Sequence, residues 1–100
     1  MLVHLGNEKD FDSIIKDNKK VLVDFFANWC GPCKMLSPIL EEVSNEEDIV
    51  VVKVDVDEFG DIASRFDVFS IPTLVLFKEG KQADKKVGYL PKDALLDFIK

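Results

Sequence analysis

Cysteine is scarce in this chain: there are two, only three positions apart. A secreted domain held together by disulfides carries several, well separated, so that each bridge closes a long loop and restricts the unfolded chain. A bridge between Cys30 and Cys33 closes almost no loop, so the pair is placed for chemistry rather than for stability. Long apolar runs are also missing. Ile49–Val52 is cut off by Lys53, far short of the roughly 20 residues a membrane span needs. Met1–Leu5 has no basic segment leading into an apolar one, the pattern of a secretory signal. A soluble, cytoplasmic protein with no membrane association is the expectation. Positive charge is in short supply as well: the net charge is -6, and lysines sit among acids, as in Lys78-Glu79-Gly80-Lys81. Phosphate backbones are held by Lys and Arg gathered on one face, which argues against nucleic acid as a partner.

No repeat, low-complexity tract or Pro/Gly-rich linker divides the sequence, and 100 residues suffice for one hydrophobic core but not two. The expected unit is a single, monomeric domain over residues 1–100. Leu2–Leu5 reads as a short edge strand, and Asn7 as the cap of a helix running through Ile15 on a stripe of Phe11, Ile14 and Ile15. Val21–Ala27 is apolar at nearly every position and rich in β-branched and aromatic residues, as suits a strand buried on both faces. A helix starts at the cysteines and runs to about Ser44 on Met35, Leu36, Ile39, Leu40 and Val43, with Pro38 inside it as a kink. Ile49–Val56 is a second buried strand, Asp61–Phe66 a short helix and Thr73–Phe77 a third strand. A Glu79-Gly80 turn leads to a fourth strand near Gln82–Val87. Pro91 opens a last helix with Ala94, Leu95, Phe98 and Ile99 inward. The order β-α-β-α-β-α-β-β-α predicts an α/β fold: a central mixed sheet of about five strands flanked by four helices on both faces.

The chemistry centres on Trp29-Cys30-Gly31-Pro32-Cys33. Thiolates, not thiols, attack disulfides, so a redox cysteine needs its ionised form stabilised. Cys30 lies where a strand ends and a helix begins, facing unpaired backbone N–H groups and the positive end of the helix dipole. Gly31 and Pro32 turn the chain tightly into the helix, Pro32 lacking an N–H that the first turn leaves unpaired in any case. Cys33, one turn in, is within bridging reach. This predicts an exposed attacking Cys30 and a buried resolving Cys33. The competing reading is half a zinc site, but structural zinc takes four ligands. The only other soft ligand is His4, distant in sequence on an edge strand.

Asp24 is the second anomaly. A period of two puts it on the face shared by Leu22 and Phe26, where an ionised carboxylate is costly to desolvate and its pKa rises unless it is paired. Such an acid beneath the cysteine helix suits taking the proton of Cys33 as that thiol becomes a nucleophile. A structural carboxylate paired with Lys53 on the adjacent strand is the plainer reading, and the two are compatible if Lys53 tunes the acid. Ile71-Pro72 precedes a core strand, where proline is tolerated only at the first position.

Taken together, Val23-Asp24-Phe25-Phe26-Ala27-Asn28-Trp29-Cys30-Gly31-Pro32-Cys33-Lys34 resembles the active-site signature of the thioredoxin family. Pro38, Lys53-Val54-Asp55-Val56-Asp57, Ile71-Pro72-Thr73, Phe77-Lys78-Glu79-Gly80 and Val87-Gly88 extend the resemblance in order over essentially the whole chain. It implies a thioredoxin fold and a cis Ile71-Pro72 turn facing the cysteines, with the Ile71 backbone pairing to an extended substrate segment. It further implies an apolar docking surface of Trp29, Gly31, Pro32, Ile71, Pro72, Val87 and Gly88. No cofactor beyond the Cys30–Cys33 redox disulfide and no metal is implied. The implied partners are a thioredoxin reductase, usually drawing on NADPH, and disulfide-bearing clients such as peroxiredoxins, methionine sulfoxide reductases and ribonucleotide reductase. Some positions depart from the common pattern: Phe26 for a second Trp, Asn28 for Glu or Pro, Phe59-Gly60 for Asn-Pro. Phe69, near the Ile71-Pro72 turn, is large and apolar where polar residues are frequent, and reads as core packing or as an added client contact.

A general protein-disulfide reductase is the leading function. An oxidant or isomerase of the same fold usually places His between its cysteines, favouring the dithiol; Gly31-Pro32 points to the reducing side. A metal carrier or a scaffold with incidental thiols is the alternative from another class.

Overall fold

The alternation along one strand sets the layout. In Lys20–Phe26 (β2), Val21, Val23 and Phe25 join one buried cluster and Leu22 joins another, so the strand has apolar residues on both faces and needs cover on both. The computed structural model describes residues 1–100 and supplies that cover. Leu2–His4 forms β1, Phe11–Asp17 α1, Gly31–Glu46 α2, Val50–Asp55 β3, Gly60–Arg65 α3, Thr73–Lys78 β4, Lys81–Val87 β5 and Lys92–Phe98 α4. The five strands make one mixed sheet in the order β1-β3-β2-β4-β5. β1, β3 and β2 run parallel, and β4 and β5 are antiparallel to their neighbours. The expected α/β architecture of five strands and four helices is what the chain adopts.

On one face Val21, Val23, Phe25, Val52, Val54, Val75 and Phe77 pack with Phe11 and Ile15 of α1 and Ile62 and Ala63 of α3. On the other, Leu22, Val51, Leu74 and Leu76 pack with Leu36, Leu40 and Val43 of α2, Leu95 of α4 and Ile99 at its C-terminal cap. Each such buried aliphatic side chain stabilises by about 1.5–3 kcal/mol, which is what lets the sheet tolerate one acid in its middle. Asp24 shares the Leu22 face and therefore lies on the α2 side.

Three details differ from the sequence reading. Asn7 caps a 3₁₀ turn, Glu8–Asp10, its side chain accepting the Lys9 N–H at 2.9 Å, and α1 begins only at Phe11. α2 runs past Ser44 to Glu46 with Pro38 inside it. Met35, expected on the apolar stripe of α2, is 62% exposed, because it lies one position off the buried line of Leu36, Leu40 and Val43. At the sheet edge, β5 is exposed along almost all of its Lys-Gln-Ala-Asp-Lys-Lys-Val sequence, a charged edge that discourages pairing with another sheet. The hairpin into it turns on Glu79 and Gly80, with φ of 53° and 79°; positive φ at both central positions matches the twist of the flanking strands.

Candidate active site

β2 ends at Phe26, and four residues, Ala27 to Cys30, carry the chain into α2. Cys30 is the N-cap of that helix, in extended conformation, and its Sγ accepts the Cys33 N–H at 3.2 Å. One of the amides that a helix start leaves unpaired is thus aimed at sulfur. Cys30 and Cys33 are joined as a disulfide, their Cα atoms 5.3 Å apart. The Ile71-Pro72 peptide bond is cis, and the Ile71 carbonyl oxygen lies 3.8 Å from Cys30 Sγ.

The expected contrast between an exposed Cys30 and a shielded Cys33 is absent in this disulfide state: they are 5% and 3% exposed. Both belong to one small cluster with Ala27, against which Phe26, Val56 and Ile71 pack. What distinguishes them is position. Cys30 faces the Ile71 carbonyl at the surface turn, whereas Cys33 backs onto a cavity of about 210 Å³ shared with Phe26, Asn28, Ser37 and Lys53.

Around the disulfide, Trp29, Gly31, Pro32 and Val87 are exposed, Ile71 and Gly88 are half-buried, and Pro72 is buried. Pro72 therefore supports the rim instead of contributing surface; its carbonyl accepts the Gly88 N–H at 2.8 Å, tying the end of β5 to the turn. Phe69 is 91% exposed, which removes the core-packing reading. It borders a shallow apolar cavity of about 450 Å³ with Trp29, Val56, Val68 and Ile71.

Beneath this surface Asp24 pairs in register with Lys53 of β3. It is fully buried, its closest carboxylate oxygen is 3.9 Å from Lys53 Nζ, and neither oxygen has a hydrogen-bond partner. Burial pushes the carboxyl up from 3.8 to about 7, against the opposing pull of the Lys53 charge. An acid of that strength is partly ionised at neutral pH yet basic enough to exchange a proton with a thiol, which an ordinary carboxylate is not. The Lys53 ammonium donates to Ser37 Oγ and lies 4.6 Å from the centre of the Phe26 ring.

Two residues near the site escaped the sequence reading. Asp57 accepts a hydrogen bond from Trp29 Nε1 at 3.0 Å, and its own N–H is held by Asp55 Oδ1 at 2.9 Å. Ser37 was hidden among the polar positions of α2. The acids closing β3 were visible, but nothing in the sequence says which side chain one of them meets. His4 sits on β1 at the sheet edge, away from the cysteines, and no group of three or more His, Cys, Asp or Glu side chains converges anywhere. No helix is long and apolar enough to cross a membrane.

Similarity to known proteins matches this geometry. The sequence model of the family described as Thioredoxin matches residues 2–100. A thioredoxin of Mycoplasmoides gallisepticum is 49% identical over 98 residues, covering 97% of this chain and 98% of that protein. Among solved structures, a mutant thioredoxin from Halobacterium salinarum superposes with a TM-score of 0.94 at 43% identity, over 98% of this chain and 87% of that one. A chain from a study of thiol resolution in yeast mitochondrial 1-Cys peroxiredoxin via the glutathione and thioredoxin systems gives a TM-score of 0.87 at 40% identity, covering 98% and 92%.

Proposed function

The chain belongs to the thioredoxin family, and from that premise we propose that it is a general protein-disulfide reductase in which Cys30 attacks, Cys33 resolves and Asp24 moves the proton. It is a thiol–disulfide oxidoreductase working through the Cys30–Cys33 pair. The observation that carries the division of labour is the placement of Cys30 Sγ at the N-cap of α2 beside the Ile71 carbonyl.

In the reduced protein the Cys30 thiolate, stabilised by the helix N-terminus, attacks one sulfur of a client disulfide. The other client sulfur leaves as a thiolate, and a Cys30–client mixed disulfide remains. Cys33 then gives its proton toward the Asp24 carboxylate and attacks Cys30 Sγ. The client leaves with both sulfurs reduced, and two electrons have passed from the Cys30–Cys33 dithiol to it. Lys53 tunes Asp24 through its charge.

An extended client segment would run along Ile71 and rest on Trp29, Gly31, Pro32, Val87 and Gly88, with Pro72 holding the turn from below. Direction follows from Gly31-Pro32: with no His between the cysteines the thiolate is less stabilised, and the disulfide is the harder to reduce, as a reductant requires. A thioredoxin reductase drawing on NADPH would return the pair to the dithiol, so the protein serves as an electron carrier in the cytoplasm, acting as a monomeric single domain. The yeast structural neighbour, from work on a peroxiredoxin, supports peroxiredoxins as one client class, alongside methionine sulfoxide reductases and ribonucleotide reductase.

The test is reduction of insulin disulfides with dithiothreitol, or with NADPH and a reductase. Cys30→Ser should abolish turnover and Cys33→Ser should accumulate a mixed disulfide with the client. Mixed disulfide at Cys33 instead of Cys30 would reverse the assignment, and a strongly oxidising potential in glutathione buffers would reverse the direction.

A further inference from the structure

Lys53 has a choice of partners, and the partner it takes is the unexpected one. Its ammonium comes from β3 directly opposite Asp24, the usual arrangement for a buried ion pair. A buried carboxylate left without hydrogen bonds is costly, and a flexible lysine within reach is the ordinary remedy. Here the ammonium donates to the Ser37 hydroxyl and rests near the Phe26 ring, while Asp24 keeps both oxygens unpartnered. Ser37 lies on α2 one turn beyond Cys33 and lines the same cavity as Cys33 and Lys53; Asp24 does not line it.

We propose that Ser37 is a positioning residue for the resolving step: its hydroxyl holds the Lys53 ammonium at the cavity wall and off the Asp24 carboxyl, leaving Asp24 unpaired and basic enough to receive the Cys33 proton. The inference deepens the reading of Asp24 as proton acceptor and rests on it. A direct ion pair would favour the carboxylate and make it a weaker base. Contact at 3.9 Å without a hydrogen bond leaves the attraction partial, so the hydroxyl sets how strongly the charge acts.

The other groups near Asp24 leave Lys53 as the one that decides. On β2 itself its face neighbours are Leu22 and Phe26, and β4 places Leu74 opposite it. α2 contributes Cys33 and Ser37 to the cavity, with Lys34 at its rim. β3 adds Asp55 beside Phe26, already engaged by Asn28 and the Asp57 N–H. β1 adds the exposed His4 beside Lys53, one strand further out.

Two readouts on the full chain test this: the Asp24 carboxyl titration in the oxidised protein, followed by carbon NMR, and the pH profile of mixed-disulfide resolution in stopped flow. Ser37→Ala leaves the best helix former at that position, so the fold is retained. It should lower the Asp24 midpoint by at least one pH unit, a tenfold loss of proton affinity, and move the resolution profile with it. Ser37→Thr keeps a hydroxyl and should stay close to the parent protein. In a Lys53→Met background, Ser37→Ala should be silent. An unmoved Asp24 midpoint in Ser37→Ala overturns the proposal, and so does a shift that persists without Lys53. The underlying reading fails separately: if Asp24→Asn resolves at the parent rate, Asp24 is not the proton acceptor, whatever the Ser37 titration gives.

Discussion

Asp24 and Lys53 stand directly opposite each other across parallel strands β2 and β3, yet their charged atoms stop at 3.9 Å and share no hydrogen bond. A buried acid and base in register would ordinarily close that gap, because each is costly to leave alone. The gap stays open because the lysine is engaged elsewhere, and two measurable consequences follow from the carboxyl it leaves exposed to the field of the protein alone.

The first is kinetic. Asp24→Asn keeps the shape of the side chain and removes the proton acceptor. General-base assistance contributes about 10²–10⁴-fold, and water in the adjoining cavity can replace part of it, so a slowing of roughly 10–100-fold at pH 7 is expected in the resolving step. Formation of the mixed disulfide by Cys30 should be little altered. Stopped-flow measurement of the two phases separates them; equal slowing of both would mean that the variant damages the whole site.

The second is thermodynamic. Asp24 titrates near 7 in the folded chain and near the ordinary 3.8–3.9 when unfolded. The folded state therefore holds the proton more tightly, so stability is full below about pH 4 and is lost as pH rises through 7. Asp24→Asn should flatten this slope and leave the oxidised protein more stable above pH 7, by a few kcal/mol. Urea unfolding at pH 4 and pH 8 checks the sign: a larger gain at the acid end would contradict it.

How much of this was legible in the sequence depended on the range of the interaction. The period of two in Val21–Phe26 was enough to place Asp24 on the face of Leu22, and the strand-to-helix junction was enough to put Cys30 at an N-cap. Both are local rules, with the partner a few residues away or in the neighbouring strand. Trp29 with Asp57, and Lys53 with Ser37, join residues 28 and 16 apart through side-chain rotamers, which no pattern of hydrophobicity encodes. Phe69 shows the converse. Its apolar character left core packing and a client contact equally open, and only its place in the loop ahead of β4, 91% exposed, removes the first. The closeness of Cys30 and Cys33 in exposure was invisible for another reason, since it depends on what packs around both sulfurs and not on their places along the helix.

The Trp29–Asp57 hydrogen bond gives a third prediction. Both groups are at the surface, so the bond orients the indole more than it stabilises the fold. Asp57→Ala should leave unfolding midpoints nearly unchanged and raise KM for a protein disulfide about three- to tenfold, as expected for losing one hydrogen bond of about 1 kcal/mol. Turnover of a small aromatic disulfide, which needs no extended contact, should hardly move. A parallel loss on both substrates would place the effect on Cys30 itself.

Phe69 supplies the last test, because its exposure and its chemistry conflict. A phenyl ring 91% open to solvent contributes little to the folded state, and surface substitutions of this kind usually change stability by no more than about 0.5 kcal/mol. Phe69→Ser should therefore unfold at nearly the parent urea concentration. Its ring nevertheless borders a cavity that also touches Trp29 and Ile71, and Ile71 is the residue whose carbonyl faces Cys30. A client segment that runs along Ile71 toward Cys30 would border that cavity, and an apolar client residue beside the reacting cysteine would then bury against Phe69. Covering a side chain of leucine size is worth about 1.5–3 kcal/mol when complete, and an open cavity recovers only part of that. The variant should lose about three- to tenfold in kcat/KM on clients with a bulky apolar residue next to the disulfide, and little on clients with glycine there. If the two client types lose equally, the phenyl ring selects nothing and its exposure has no bearing on docking.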